Sequence, residues 1–385
     1  MPQRILLLSA SAGAGHVRAA DALLKQFQLH PALSDGRGHV EHWDILKYTN
    51  AVFRTIYSKV YLDLVNRAPT LLGMVYDSTD KPWKETMAQA FEKLNAAPFI
   101  KALRDYNPDL IVATHFTPPN IINWLNTKHR RGQNPSPKIP APAIVITDLD
   151  VHAMWLTKSY SRYFVSLEES KIYLQQMGIP ADKITISGIP TDPVFNTPKD
   201  KTATRKQLDL DPNRFTILVS AGGFGVGPVE MLVTQLEKSL QSPAQVVAIA
   251  GKSEELKTKL EKMAKKIPGN SPLKLHPIGF TNQMDAYMAA ADILISKPGG
   301  LTTAEAMART LPMCIVNPIP GQEERNSDHL LEAGVAIKCN NPPTLAWKLE
   351  QLINNPQRLA QMRQNITQFA KPHAAETIVN TLMSV

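Results

Sequence analysis

The stretch LLLSASAGAGHVRAA, residues 6–20, places one imidazole, His16, where an apolar run gives way to small residues and then to a helix-forming segment. If the run is a strand of a parallel sheet, His16 stands at the strand's carboxyl end, where open α/β sheets bind their ligands. Gly13 and Gly15 let the backbone turn tightly and let a ligand approach it. A helix predicted over residues 17–27 puts His16 at or beside its amino end. The positive end of the helix dipole disfavours imidazolium there and lowers the pKa. A neutral imidazole at pH 7 accepts a proton, which is what a general base must do. Capping of the helix, or a bond to a backbone carbonyl, would account for the same residue, and Gly-x-Gly-His spacing alone does not choose between them.

Three later stretches have related chemistry. VSAGGFGVGPVE, residues 219–230, carries Gly222, Gly223, Gly225 and Gly227 between a strand and a helix. Such a loop exposes backbone N–H groups beside a helix N-terminus and suits a diphosphate; a plain tight turn is the competing reading. No Gly-Lys-Ser/Thr follows, and the dinucleotide fingerprint is not met. SKPGGLTTAEAMARTLP, residues 296–312, repeats the pattern with Gly299 and Gly300. Thr302 or Thr303 is expected to cap the helix and Glu305 to fall in its first turn, where a carboxylate chelates ribose hydroxyls or completes a capping box. PIPGQEERN, residues 318–326, offers Gln322, Glu323 and Asn326, amide and carboxylate groups suited to the hydroxyls of a sugar, or simply a polar loop that starts a helix.

The elements that must position these residues are short, continuous apolar runs: RILLLSA, DLIVATH, AIVITDL, FTILVSAGG, QVVAIAG, DILISKPGG and PMCIVNP. Continuous rather than alternating hydrophobicity marks strands buried on both faces of a parallel sheet. Helical stretches lie between many of them, at residues 227–240, 254–266 and 302–309. The alternation predicts an α/β fold, and it restarts near residue 214 after a proline-rich linker at 189–200. Two Rossmann-like domains, 1–195 and 196–385, facing across a cleft are the economical arrangement for 385 residues. The first contains an insert, residues 43–106, in which Tyr48, Val52, Phe53, Ile56, Tyr57, Val60, Tyr61, Leu64 and Val65 make an apolar and aromatic stripe. That stripe faces either a core or a membrane interface; Trp83 and Lys84 follow it.

The net charge of +8 suggests an anionic partner, but no Lys/Arg block like that of a nucleic-acid arm occurs. Cys314 and Cys339 have no metal-ligand spacing, which argues against zinc and disulfide scaffolds and fits a reducing compartment. The apolar stretch at residues 5–8 is too short for a signal-peptide core, and no run is long enough to cross a bilayer. A cytoplasmic protein, peripheral to the inner face of the membrane, is the expectation.

The segments SASAGAGHVRAA, VITDLDVHAMWL, GIPTDPVF, SAGGFGVGP, GFTNQMDAYMAAADILISKPGGLTTAEAM and PIPGQEERN together resemble the diacylglycerol glycosyltransferases. That group comprises the processive glucosyltransferases and the monogalactosyldiacylglycerol synthases, and is related to the peptidoglycan N-acetylglucosaminyltransferase that acts on lipid intermediates. The resemblance runs over nearly the whole chain. It implies the GT-B architecture and an inverting transfer of a hexose from a UDP-sugar to diacylglycerol, or to a glycosyl-diacylglycerol, with no cofactor and no essential metal. By resemblance, His16 is the base or the acceptor-orienting residue, alone or with help from Asp148. Gly15, His152 and Trp155 line the acceptor side. Gly222 and Gly223 hold the diphosphate; Phe280 and Thr281 hold the uracil. Gly299, Gly300, Thr302 and Glu305 hold phosphate and ribose, and Gln322, Glu323 and Asn326 the donor sugar. By the same resemblance the final helices, residues 344–383, are expected to cross back to the first domain.

Two departures leave donor and acceptor identity open: Ala14 stands where relatives often have glycine, and Val151 where the galactolipid synthases have cysteine. Asp148-Leu-Asp150 reads as a DxD, which holds a metal in transferases of another fold; in the fold the resemblance implies it would lie in the other domain from the nucleotide, and no metal is expected. His115 is a second polar wall or an ordinary loop residue. A polyprenyl-diphosphate acceptor with UDP-N-acetylglucosamine, an epimerase of the same architecture and a UDP-sugar sensor without catalysis are the alternatives.

Overall fold

The computed structural model describes residues 4–11, 13–34, 38–49, 69–81, 96–130, 138–220 and 228–384. The chain divides into two compact units. Unit 1 takes in Met1–Pro193, Ile319–Arg325 and Lys371–Val385; unit 2 takes in Val194–Pro318 and Asn326–Ala370. The expected division at 195/196 lies two residues from the observed one; segment 319–325, placed in the second domain by the sequence, groups with unit 1, and of the final helices expected to cross back only 371–385 does so, 344–370 staying with unit 2.

Unit 1 is built on β1 (Arg4–Ser9), β2 (His39–Asp44), β3 (Leu110–Ala113), β4 (Ala143–Val145), β5 (Arg162–Val165) and β6 (Ile184–Ile186). They form one parallel sheet in the order β2-β1-β3-β4-β5-β6. Ile5, Leu6, Leu7 and Leu8 are all fully buried because β1 is covered on both faces. Ile5 and Leu7 pack with Leu23 and Phe27 of helix α1 (Ala14–Leu29) and with Ile378 and Val379 of the terminal helix Ala374–Met383. Leu6 and Leu8 point the other way, onto Phe99, Leu103, Ile121 and Ile122. This apolar contact, with Ala375 and Leu382 sharing it, is why the last residues of the chain belong to unit 1.

Unit 2 is built on β7 (Phe215–Ser220), β8 (Ala244–Ile249), β9 (Leu273–Ile278), β10 (Ile293–Ser296), β11 (Met313–Val316) and β12 (Ala336–Cys339). All pairings are parallel, in the order β12-β11-β10-β7-β8-β9. Read from β7 this is the Rossmann order, with the switch point between β7 and β10. Ile217, Val219, Val246, Ile293 and Ile295 meet Val233, Leu236, Leu349 and Leu352 in its core. At the amino end of these strands Asp292 accepts from Lys201 Nζ at 2.8 Å, Arg205 Nη2 at 2.6 Å, Arg363 Nη2 at 3.2 Å and Thr216 N at 2.8 Å. Burial pushes the Asp292 carboxyl up, but the cations and the Thr216 N–H outweigh it and hold the group below the usual carboxylate range.

The seven apolar runs correspond to β1, β3, β4, β7, β8, β10 and β11; the sequence left β2, β5, β6, β9 and β12 unassigned. The helix predicted from residue 302 instead starts two residues earlier, as α3 (Gly300–Ala308). Of the aromatic stripe only Tyr48 is described, and its ring packs 5.1 Å from Trp43 and 6.0 Å from Phe99. The rest of the stripe, with Trp83 and Lys84, lies outside the described residues.

Candidate active site

The switch point of unit 1 lies between β1 and β3, and the chain leaving each strand there meets at His16. His16 is the third residue of α1, whose N-cap, Gly13, is extended at φ −154° and provides no side-chain cap. The helix therefore starts earlier than residue 17. Gly13 is not needed for a left-handed backbone, and a Cβ there would meet nothing within 4 Å.

The turn is braced from β2. His42 Nδ1 donates to Asp21 of α1 at 2.8 Å, and its Nε2 accepts from the Ser9 hydroxyl at 2.7 Å. Ser11 N donates to Asp44 at 3.0 Å. Ser9, His42 and Asp21 have the composition of a nucleophilic triad, but Ser9 is fully buried, so the three act as a brace across the turn.

Nδ1 of His16 lies 2.9 Å from the Thr114 carbonyl and 2.9 Å from Thr147 Oγ1. A carbonyl only accepts, so Nδ1 carries the hydrogen and shares it with the Thr147 oxygen. The lone pair of the neutral ring is therefore on Nε2. Thr114 Oγ1 returns a bond to the His16 carbonyl at 2.8 Å, locking the two residues together. Burial lowers the His16 pKa to about 4, and the Thr114 carbonyl only partly offsets it. The neutral imidazole expected from the helix dipole is thus a product of desolvation. Among the described residues no carboxylate bonds Nδ1; a carbonyl and a hydroxyl hold the ring.

His115, which the sequence left between a polar wall and an ordinary loop residue, sets its ring 4.6 Å from that of His16, edge to face. It stacks on Phe116 at 4.2 Å, and its Nδ1 accepts from Thr117 N at 3.1 Å. Desolvation, then the proximity of His16, hold it well below the usual imidazole pKa. Trp155, expected on the acceptor side, is buried with its ring 6.4 Å from His16. Gly15 is the helical residue preceding His16.

Asp148 and His152 belong to a second polar group of unit 1, gathered on segment 319–325 and on helix α2 (Pro69–Thr79). Gln322 Nε2 donates to Asp148. Arg325 donates to Asp150 at 3.0 Å through Nη1 and to Asp80 at 2.7 Å through Nη2. His152 is buried; its Nε2 donates to the Tyr76 carbonyl at 2.9 Å and its Nδ1 accepts from Met154 N at 3.1 Å. Burial, ahead of the opposing Tyr76 carbonyl and Asp80, lowers its pKa. The DxD pair Asp148 and Asp150 thus holds an amide and a guanidinium. No group of three or more His, Cys, Asp or Glu able to hold a metal occurs among the described residues.

Of the residues expected to hold the donor, Gly222 and Gly223 lie outside the described residues. Glu323, in the segment held by unit 1, accepts from Ile319 N at 2.7 Å and so closes the turn that starts helix α4 (Gln322–Glu332). In unit 2, Gly299 is the N-cap of α3 at φ −63°, with no side-chain cap. The expected capping by Thr302 or Thr303 does not occur, because the helix has already begun. Glu305 falls in the second turn rather than the first and is buried. The first N–H groups of α3 thus lie at the switch point, where β10 adjoins β7. Fully buried Asn326 donates to the Pro298 carbonyl at 3.1 Å, tying α4 to the loop before α3. Phe280 stands beyond edge strand β9, 59% exposed, with Lys252 Nζ 5.6 Å from its ring; Thr281 Oγ1 accepts from Gln283 N at 3.0 Å.

Sequence reasoning missed Thr114, Thr147, Asp80, Tyr76 and Arg325. Thr114 ends a strand run and Thr147 precedes Asp148, so strand-end polarity was a usable signal for both; nothing local marks the other three.

The chain matches the monogalactosyldiacylglycerol (MGDG) synthase family over residues 16–191 and the glycosyl transferases group 1 family over residues 200–369. It is 31% identical over 386 aligned residues to the processive diacylglycerol beta-glucosyltransferase of Staphylococcus saprophyticus, covering 100% of this chain and 93% of that protein. Among solved structures it resembles MurG of Acinetobacter baumannii, with a TM-score of 0.63, 17% identity and complete coverage of both chains. It also resembles HepE of Anabaena in complex with UDP, with a TM-score of 0.53, 18% identity and coverage of 99% of this chain and 100% of that one. At these identities the structures show the fold, which is GT-B. Identity of 31% along the entire length shows more: the chain is a member of the diacylglycerol glycosyltransferase family.

Proposed function

We propose that this protein moves a hexosyl group from a UDP-sugar to the hydroxyl of diacylglycerol, or of a glycosyl-diacylglycerol, with inversion at the anomeric carbon. The observation that carries the reading is the placement of His16 in a chain of this family: the Thr114 carbonyl takes the Nδ1 hydrogen, which leaves the lone pair on Nε2, and burial lowers the pKa to about 4. The acceptor oxygen attacks C1 of the sugar and forms the new C1–O bond. The bond from C1 to the diphosphate oxygen breaks, UDP leaves, and the acceptor proton passes to Nε2 of His16. Unit 2 supplies the uncapped N–H groups of α3 to the charge that builds on the leaving diphosphate. Thr302 and Glu305, Phe280 and Thr281, and Gly222 and Gly223 take the roles that the resemblance gives them. Asp148 acts by holding Gln322.

The name of the staphylococcal relative makes glucose the first sugar to test. Diacylglycerol resides in membranes, and no helix among the described residues is long and apolar enough to cross one. The net charge of +8 favours docking on an anionic surface, the inner face of the cell membrane in this reading. Catalysis is assigned no metal and no cofactor.

The test offers radiolabelled UDP-glucose, UDP-galactose, UDP-glucuronate and UDP-N-acetylglucosamine to the protein over diacylglycerol vesicles and, separately, over a polyprenyl diphosphate. Label in glycosyl-diacylglycerol, undiminished by EDTA, supports the proposal. Label only in the polyprenyl product, or release of free isomerised sugar, assigns the site to the alternative acceptor or to an epimerase.

A further inference from the structure

Within unit 1, segment 319–325 lies against α2 at close range. Gly321 has φ +86°, and a Cβ on it would fall 2.6 Å from Tyr76 Cδ1. A Cβ on Gly73 of α2 would fall 2.8 Å from Pro320 Cβ. Arg325 closes this contact. Its guanidinium bridges Asp80, just beyond α2, and Asp150, and sits 5.3 Å from the Tyr76 ring centroid. Asp80 is itself fixed, accepting from Ala153 N at 2.9 Å with its other oxygen. Arg325 N donates to the Gly321 carbonyl at 3.1 Å, so the guanidinium and Gln322 belong to one turn.

We infer that Arg325 is a positioning residue whose bridge between Asp80 and Asp150 holds the donor-sugar residues Gln322 and Glu323 in place against α2. This rests on the proposed function and goes beyond it, because it makes recognition of the sugar depend on a helix of the insert, residues 43–106. The geometry favours arginine. Two carboxylates on different segments are met by two separate nitrogens of a planar fork, which a lysine ammonium cannot match. The bridge is also accessible: the side chains of Arg325, Asp80 and Asp150 are 34%, 18% and 24% exposed, so salt screens it in part.

The experiment compares UDP with UDP-glucose, since only the second carries the sugar, and reads binding rather than turnover. By calorimetry, Arg325→Met is expected to weaken UDP-glucose about tenfold while leaving UDP within about twofold, with Arg325→Lys in between. Wild-type protein in about 0.5 M NaCl should lose affinity for UDP-glucose relative to UDP, a measurement that needs no variant; the same salt should leave that ratio unchanged in Arg325→Met. Equal loss of both ligands, or no loss of either, in Arg325→Met would overturn the clamp, as would an unchanged ratio in wild type at high salt. Wild-type protein that binds UDP-glucose yet transfers nothing to diacylglycerol would overturn the acceptor reading and leave the clamp standing; wild-type protein that binds neither ligand would overturn both.

Discussion

His16 shows how a single side chain is tuned by its surroundings. With its pKa lowered to about 4 by burial, it stays neutral well below the range of an ordinary histidine. The acid limb of kcat/KM should therefore fall near pH 4, and a limb near the unperturbed 6.5 would show that the ring is solvated in the working enzyme. The same shift bears on stability. The unfolded chain binds the proton below its higher pKa and the folded one does not, so stability from this residue is complete above about 6.5 and declines as pH falls toward about 4. Urea unfolding followed across that window, compared with His16→Gln, checks the sign. Thr147→Val removes one of the two acceptors on Nδ1 and should lower kcat about fivefold to tenfold, with Thr147→Ser restoring most of it. His16 itself was legible in the sequence, because glycines and a strand end announce it. Its partners were not: they bond it across 98 and 131 residues, and no local pattern encodes that.

Elements carry the next level of control. The fully buried interior strands were legible because parallel packing leaves them no polar face. The unassigned β2, β6, β9 and β12 are the sheet edges, where partial exposure breaks the apolar run; β5 is interior but opens on Arg162. The positions of Thr302 and Glu305 were misjudged for a related reason. Threonine and glutamate at the right spacing look like a cap, but α3 begins at Gly300 without one. Two substitutions test the elements. Gly321→Ala places a methyl group against Tyr76 on a left-handed backbone, and should displace segment 319–325 and weaken UDP-glucose relative to UDP. Asp292→Ala leaves Lys201 and Arg205 without their shared carboxylate and should cost unit 2 about 3–5 kcal/mol, measured by denaturant unfolding.

For the whole molecule, the repetition of strand and helix was sufficient to indicate two parallel sheets, and both are present. What the repetition could not show is that the chain returns to unit 1 twice, at 319–325 and at 371–385. The first return depends on ion pairs and glycine contacts and the second on a shared apolar core, all between residues far apart in sequence. The +8 charge adds a prediction at this scale: sedimentation with anionic vesicles should exceed that with neutral ones and decline with salt. The central claim, that a neutral His16 takes the acceptor proton, is tested most directly by His16→Gln. Transfer of radiolabelled sugar from UDP-glucose to diacylglycerol should fall about a hundred- to ten-thousand-fold while calorimetric UDP affinity stays the same. Turnover by that variant at the wild-type rate would contradict the account.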